Sequence, residues 1–156
     1  MDAVRVELSG PVMNVTLCRP EQRNAQTPAT WRALAAAGAA MTNEIRIVIL
    51  RAEGPSFSAG LDRAMMTPEG VPGEGSLLAL MSDSDEALQG FISDAQAGFT
   101  WWHDVDALTV AVVEGHAIGA GMQLALACDL IIAGRQAQFA MRETSLGLVP
   151  DLAGTS

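Results

Sequence analysis

Residues 115–123 read Gly115-His116-Ala117-Ile118-Gly119-Ala120-Gly121-Met122-Gln123, and the rest of the chain arranges itself around them. Before them, Leu108 to Val113 is a short apolar run rich in β-branched residues, the pattern of a buried strand. After the glycines, Met122 to Ala127 consists of good helix formers. A strand that turns through small residues into a helix brings several unbonded backbone N–H groups to one point. Such a point suits an anion, whether a standing phosphate or a charge that develops during a reaction. Neither a Gly-x-Gly-x-x-Gly fingerprint nor a Gly-Lys-Ser/Thr phosphate loop occurs here. Close packing of a helix against a sheet accounts for the glycines equally well.

Working outward, a chain of 156 residues holds one domain with a real core. Hydrophobic residues make up 49% and charged ones 17%, the composition of a folded protein. The net charge of −9 argues against nucleic acid and anionic membrane surfaces as partners. It leaves room for an anionic small ligand held by local donors. The start, Met1-Asp2-Ala3-Val4-Arg5, shows no basic region followed by an apolar run, so a cytoplasmic location is expected. Ala107 to Ala133, the most apolar region, is interrupted by Glu114, His116, Gln123 and Asp129, which is not the pattern of a membrane span. Cys18 and Cys128 lack metal spacing and read as reduced, buried thiols.

Taken in order, Val4, Val6 and Leu8 alternate with polar residues as a half-buried strand, and Val12 to Leu17 completes a hairpin. Thr27-Pro28 is a helix start, and the helix runs through Trp31 and Leu34 to about Met41. Ile45 to Leu50 reads as a strand buried on both faces. Glu53-Gly54-Pro55-Ser56-Phe57-Ser58-Ala59-Gly60-Leu61-Asp62 then leaves that strand as a loop able to present a backbone N–H into a cleft. Together with the N–H groups near Ala120 it supplies two donors from separate loops, which is what an oxyanion hole needs. Residues 66–84, rich in Pro, Gly and acid, are expected to be a mobile loop, followed by a helix from about Asp85 to Asp104. On that helix Leu88, Phe91, Ile92, Phe99 and Trp102 serve either an acyl pocket or ordinary core packing.

Several linked motifs resemble the enoyl-CoA hydratase/isomerase (crotonase) family in order and spacing. They are Arg19-Pro20 with Asn24-Ala25, Phe57 to Asp62, Gly119-Ala120-Gly121, and Ala127-Cys128-Asp129-Leu130. Ala137-Gln138-Phe139, Glu143, Leu146-Gly147-Leu148-Val149-Pro150 and Gly154-Thr155 continue the match across essentially the whole chain. The resemblance implies an α/β fold, a crotonase-like spiral of repeated strand-strand-helix units. It implies an acyl-CoA thioester as substrate, with coenzyme A as part of that substrate and no separate cofactor or metal. The family's oxyanion hole falls on the backbone N–H groups of Leu61 and Ala120. Ala59, Leu61, Asp62, Arg63 and Ala64, with Ala120, are the implied contacts to CoA and substrate. Arg19, Arg23 and Arg63 are candidate phosphate partners, with solvated surface arginines as the plainer alternative.

Hydratases of this family use two glutamates. The second is present as Glu143, but the first falls on Gln123, an amide that hydrogen-bonds without exchanging protons at neutral pH. Hydration divides naturally between two acids, whereas moving a double bond needs one base that takes a proton and returns it. A single-carboxylate site therefore favours isomerisation. The alternative is a catalytically silent acyl-CoA-binding protein or truncated remnant. His116 is expected to pack or hydrogen-bond, His103 to be partly buried, and Asp129 to be structural. The chain stops at Ser156, where family members continue into helices that complete the CoA site and the trimer contact. Residues 1–156 are accordingly read as the N-terminal core with that helical part missing and apolar surface exposed at its edge. A homotrimer or dimer of trimers is expected of the full-length family and is doubtful for this chain.

Overall fold

The computed structural model describes residues 2–146, 149–150 and 152. The chain opens with an antiparallel hairpin of β1 (Val4–Ser9) and β2 (Val12–Leu17). Helix α1 (Pro28–Ala39) follows, and β3 (Ile47–Ala52) returns parallel to β2. A four-residue helix α2 (Leu77–Leu80) precedes the long α3 (Asp85–Asp104), which leads into β4 (Leu108–Val113) beside β3. The short strand β5 (His116–Ile118) and helix α4 (Ala120–Leu126) then lead to β6 (Leu130–Ala133), parallel to β4. Finally β7 (Gln138–Ala140) pairs in parallel with β5. The main sheet has the order β1-β2-β3-β4-β6, and β5-β7 forms a second, smaller sheet. Repeated strand and helix units thus wind a parallel-dominated sheet, an α/β architecture.

The core lies on the face of the main sheet covered by α1 and α3. Met13, Val15, Val48, Leu50 and Ala111 project there to meet Leu34, Phe99 and Trp102, all fully buried. Two glycines let the helices close on each other: a Cβ on Gly98 would lie 2.9 Å from the Trp31 carbonyl oxygen. A Cβ on Gly38 would lie 2.5 Å from the Trp101 ring, so that ring takes the space over the glycine. Phe91 meets Trp31 edge-on with ring centroids 5.7 Å apart. Phe99 and Trp102 therefore belong to the core.

Some expectations shift once packing is seen. In β1 only Val4 turns inward, while Val6 and Leu8 are exposed, because no layer covers the far end of the hairpin. Val48 and Leu50 are buried in β3, but Ile47 and Ile49 on its other face are only partly covered. The reading of one turn between β4 and α4 misses β5, a strand of three residues. His103 is exposed rather than partly buried, since it points away from the α1–α3 contact. Within 66–84 the carboxylate of Glu74 accepts from the Ala29 N–H and the Thr27 hydroxyl, capping the start of α1 from 45 residues away. The four residues of β6, by contrast, are all exposed, and among the described residues it forms an edge of the sheet.

Asp129 ties the end of α4 to β4. Its Oδ2 accepts from both the backbone N–H and the hydroxyl of Thr109, each at 2.8 Å, and its own N–H donates back to that hydroxyl. The backbone hydrogen bond from Thr109 holds the Asp129 carboxyl below its ordinary value against the opposing effect of burial, with smaller help from the Thr109 hydroxyl. A depressed folded-state value means the unfolded chain binds the proton more readily. The stabilisation is therefore present above the ordinary carboxylate range and lost as the pH falls through the folded-state value. Replacing Asp129 by Ala is expected to cost about 1 kcal/mol near neutrality, discounted for its exposure. Urea melts at descending pH should show wild type and variant converging below about pH 4.

Both cysteines are free and buried. Burial, reinforced by the neighbouring Asp129 charge, pushes the Cys128 thiol up to about 12, so it is an inert core group. Among the described residues, no helix is long and apolar enough to cross a membrane. No cluster of three or more His, Cys, Asp or Glu side chains that could hold a metal ion is found there either.

Candidate active site

The loop leaving β3 runs alongside β5. Phe57 N–H donates to the Glu114 carbonyl, Ser58 N–H to that of His116, and Ile118 N–H to that of Ser58. Three residues beyond Ser58 lies Leu61, and two residues beyond Ile118 lies Ala120. The ladder between the two loops thus sets where these residues stand. Gly60 adopts φ +88°, and a Cβ there would lie 2.5 Å from the Ile118 carbonyl oxygen and 3.5 Å from the Ala120 nitrogen. A Cβ on Gly121 would meet the Ser58 carbonyl oxygen at 2.6 Å. These two glycines therefore serve the approach of one loop to the other.

Along the first loop nearly every N–H is taken. Ser58 donates to His116, Ala59 to Arg23, Gly60 to the Ser58 hydroxyl, and Asp62 to Gln26. The Leu61 N–H has no partner among the described residues. On the second loop Gly119 N–H donates to Ala140, while the Ala120 N–H, at the first position of α4, likewise has none. Gly119 makes this turn at φ 53° and ψ −122°, a conformation essentially open only to glycine.

Glu143 comes to the same place from a short 3-10 turn, Glu143–Leu146. Its carboxylate lies over Gly119, with Oε1 3.3 Å from where a Cβ would stand. Gln123, on the buried side of α4, donates from Nε2 to Glu143 Oε1 at 2.6 Å. The other end of that amide, Oε1, accepts from the Leu152 backbone N–H at 2.8 Å, which fixes its orientation. Glu143 Oε2 is buried and has no hydrogen-bond partner among the described residues. The structure thus brings Leu61, Ala120, Gln123 and Glu143 together.

The other sequence candidates surround this point. Asp62 accepts from Ala64 N–H, capping the turn Arg63–Met66, and pairs with Arg19 at 3.2 Å. Arg19 also donates to the Ala25 carbonyl, so it braces the loop instead of standing ready for a phosphate. Ala59, Arg23 and Arg63 are exposed beside it, and Ala64 is half-buried. His116 Nδ1 lies 3.2 Å from the Ser56 hydroxyl. Of the family-like C-terminal motif, Gly147, Leu148 and Gly154 to Ser156 lie outside the described residues.

Sequence reading passed over Gln26. It is fully buried, pairs with Leu61 in a parallel bridge, and reaches the Ala120 carbonyl with its side chain. No motif marks it, because the partners of its side-chain N–H groups, Ser58 and Ala120, lie 32 and 94 residues away.

The architecture matches solved structures closely. A protein of Thermobifida fusca YX, assigned as an enoyl-CoA hydratase and crystallised with acetoacetyl-CoA, superposes with a TM-score of 0.92 at 42% identity, covering 99% of this chain and 60% of that one. An enoyl-CoA hydratase/isomerase of Marinobacter aquaeolei gives a TM-score of 0.80 at 27% identity, covering 98% and 56%. The carnitinyl-CoA dehydratase of Salmonella enteritidis PT4 is 32% identical over 98% of this chain and 54% of that protein. The chain thus spans little more than half the length of these relatives. The family model described as enoyl-CoA hydratase/isomerase matches residues 7–156. With the crotonase-like spiral already traced, the chain belongs to the enoyl-CoA hydratase/isomerase family.

Proposed function

We propose that the chain is the core of an acyl-CoA enzyme in which one carboxylate, Glu143, shuttles a proton while the Leu61 and Ala120 N–H groups hold the thioester oxygen. The observation that carries this reading is the buried, unpartnered Glu143 Oε2 beside an amide already committed to Oε1. A buried carboxylate oxygen without a partner is costly and calls for an explanation. A proton-accepting role supplies one. The Oε2 atom takes the C2 proton of a 3-enoyl thioester, and the electron pair moves into a dienolate whose charge rests on the thioester oxygen. The same proton returns at C4, so the C3–C4 double bond becomes C2–C3. The substrate's CoA portion would run past Ala59, Leu61, Asp62, Arg63 and Ala64, and the exposed Arg23 and Arg63 are the candidate partners for its phosphates. That crystallised relatives hold acetoacetyl-CoA or CoA supports this class of ligand.

Hydration is the second reaction, favoured by the relatives' names as hydratases and a dehydratase. A silent acyl-CoA-binding protein is the third reading, motivated by Gln123 standing where the family's other glutamate falls. Changing Gln123 to Glu tests all three. It puts a second carboxylate against Glu143, and the pair shares a proton because two close charges repel. Hydration of a 2-enoyl-CoA is expected to rise at least about tenfold relative to isomerisation of a 3-enoyl-CoA, within the span an added acid supplies. Absorbance of the conjugated thioester follows both reactions. Efficient hydration by the wild type, unchanged in the variant, overturns the isomerase preference. Binding of both thioesters with no turnover in either protein establishes the silent reading.

A further inference from the structure

We infer that Gln26 is a positioning residue that sets the separation and aim of the two backbone donors, an inference that rests on the acyl-thioester reading above. Its amide is wholly buried, and three contacts leave it one orientation. The Trp31 indole can only donate, so at 2.9 Å it requires Gln26 Oε1 as acceptor. Nε2 is thereby turned toward the Ala120 carbonyl and the Ser58 hydroxyl, each at 3.3 Å. The main chain of the same residue grips the other loop. Gln26 N–H donates to the Gly60 carbonyl at 2.7 Å, and the Asp62 N–H donates to the Gln26 carbonyl at 2.8 Å. These two bonds straddle Leu61, so its peptide group cannot rotate without breaking one of them.

One residue therefore holds the Leu61 loop by its backbone and the Ala120 turn by its side chain. Starting α1 does not require this, since Thr27, Pro28 and the Glu74 carboxylate already serve that end. An apolar side chain of similar size would fill the volume and keep the Leu61 contacts. It would release the Ala120 carbonyl. Donors aimed at a developing charge are sensitive to displacements of an ångström, so the effect belongs on the chemical step and not on CoA binding.

The test compares wild type with Gln26→Leu and Gln26→Glu. The glutamate keeps an acceptor for Trp31 and, once ionised, offers no donor to Ala120, so it is compared across rising pH, where the loss relative to wild type is expected to grow; it decides the matter if the leucine variant does not fold. The probe is a 3-arylpropenoyl-CoA, whose absorption moves to longer wavelength when its carbonyl is polarised. Both folded variants are expected to bind coenzyme A within about threefold of wild type while kcat falls about ten- to a hundredfold with KM little changed. The absorption shift of the bound probe is expected to shrink in parallel, which loss of general packing would not produce. Unchanged kcat and an unchanged shift in a folded variant overturn the inference alone. A wild type that binds the probe with no shift overturns the thioester reading, and this inference with it.

Discussion

Changing Glu143 to Gln is expected to lower isomerisation of a 3-enoyl-CoA by about a hundred- to ten-thousandfold, the usual cost of removing a positioned acid or base. Near-isosteric replacement keeps the shape of the pocket, and an amide at 143 can still accept the Gln123 hydrogen bond at 2.6 Å. Only proton exchange is lost. Binding of an acyl-CoA is expected to survive, because nothing in the exchange touches Leu61 or Ala120. The informative measurement is therefore a pair: turnover by absorbance and affinity by calorimetry on one preparation. Retention of most activity would show that another group moves the proton. Loss of binding together with turnover would show that the carboxylate holds the pocket open instead of acting within it.

The second large effect is at Ala120. Proline there removes the N–H and nothing else that the helix needs, since this is the first position of α4, where proline is well accommodated. Serine keeps the N–H and adds one hydroxyl. Loss of a single preorganised donor to a developing oxyanion costs roughly a hundred- to a thousandfold in rate. Ala120→Pro is expected to fall in that range, with Ala120→Ser within about tenfold of wild type. Circular dichroism on both variants establishes that the comparison concerns the donor and not the fold. Equal losses in two well-folded proteins would remove Ala120 N–H from the mechanism.

Much of this arrangement is legible in the sequence because it depends on local signals. The hairpin, α1 with its Thr27-Pro28 start, α3 and β4 all announce themselves by period or capping, and they stand within a residue or two of where the pattern puts them. What escapes is whatever depends on return of the chain. Strands β5 and β7 have three residues each, too few for an alternation to register, and exist through their pairing with each other. The meeting of Gln123 with Glu143 needs β6 and β7 to bring the chain back across 20 residues, so the pair was readable only through resemblance to a family. Gln26 was unreadable in any local sense. A lone glutamine between Ala25 and Thr27 carries no pattern, and its significance lies in two loops that fold onto it.

The two ends of the main sheet are unlike. On β1, Arg5 pairs with Glu7 and Glu53, and charges alternate along an edge of the kind that discourages further pairing. On β6, Leu130, Ile131 and Ile132 face outward with no charge among them. Among the described residues the sheet is consequently lopsided, with charge along the β1 margin and apolar side chains along the β6 margin. A layer laid against β6 would bury apolar side chains alone, whereas one laid along β1 would have to desolvate Arg5, Glu7 and Glu53 together with Val6 and Leu8.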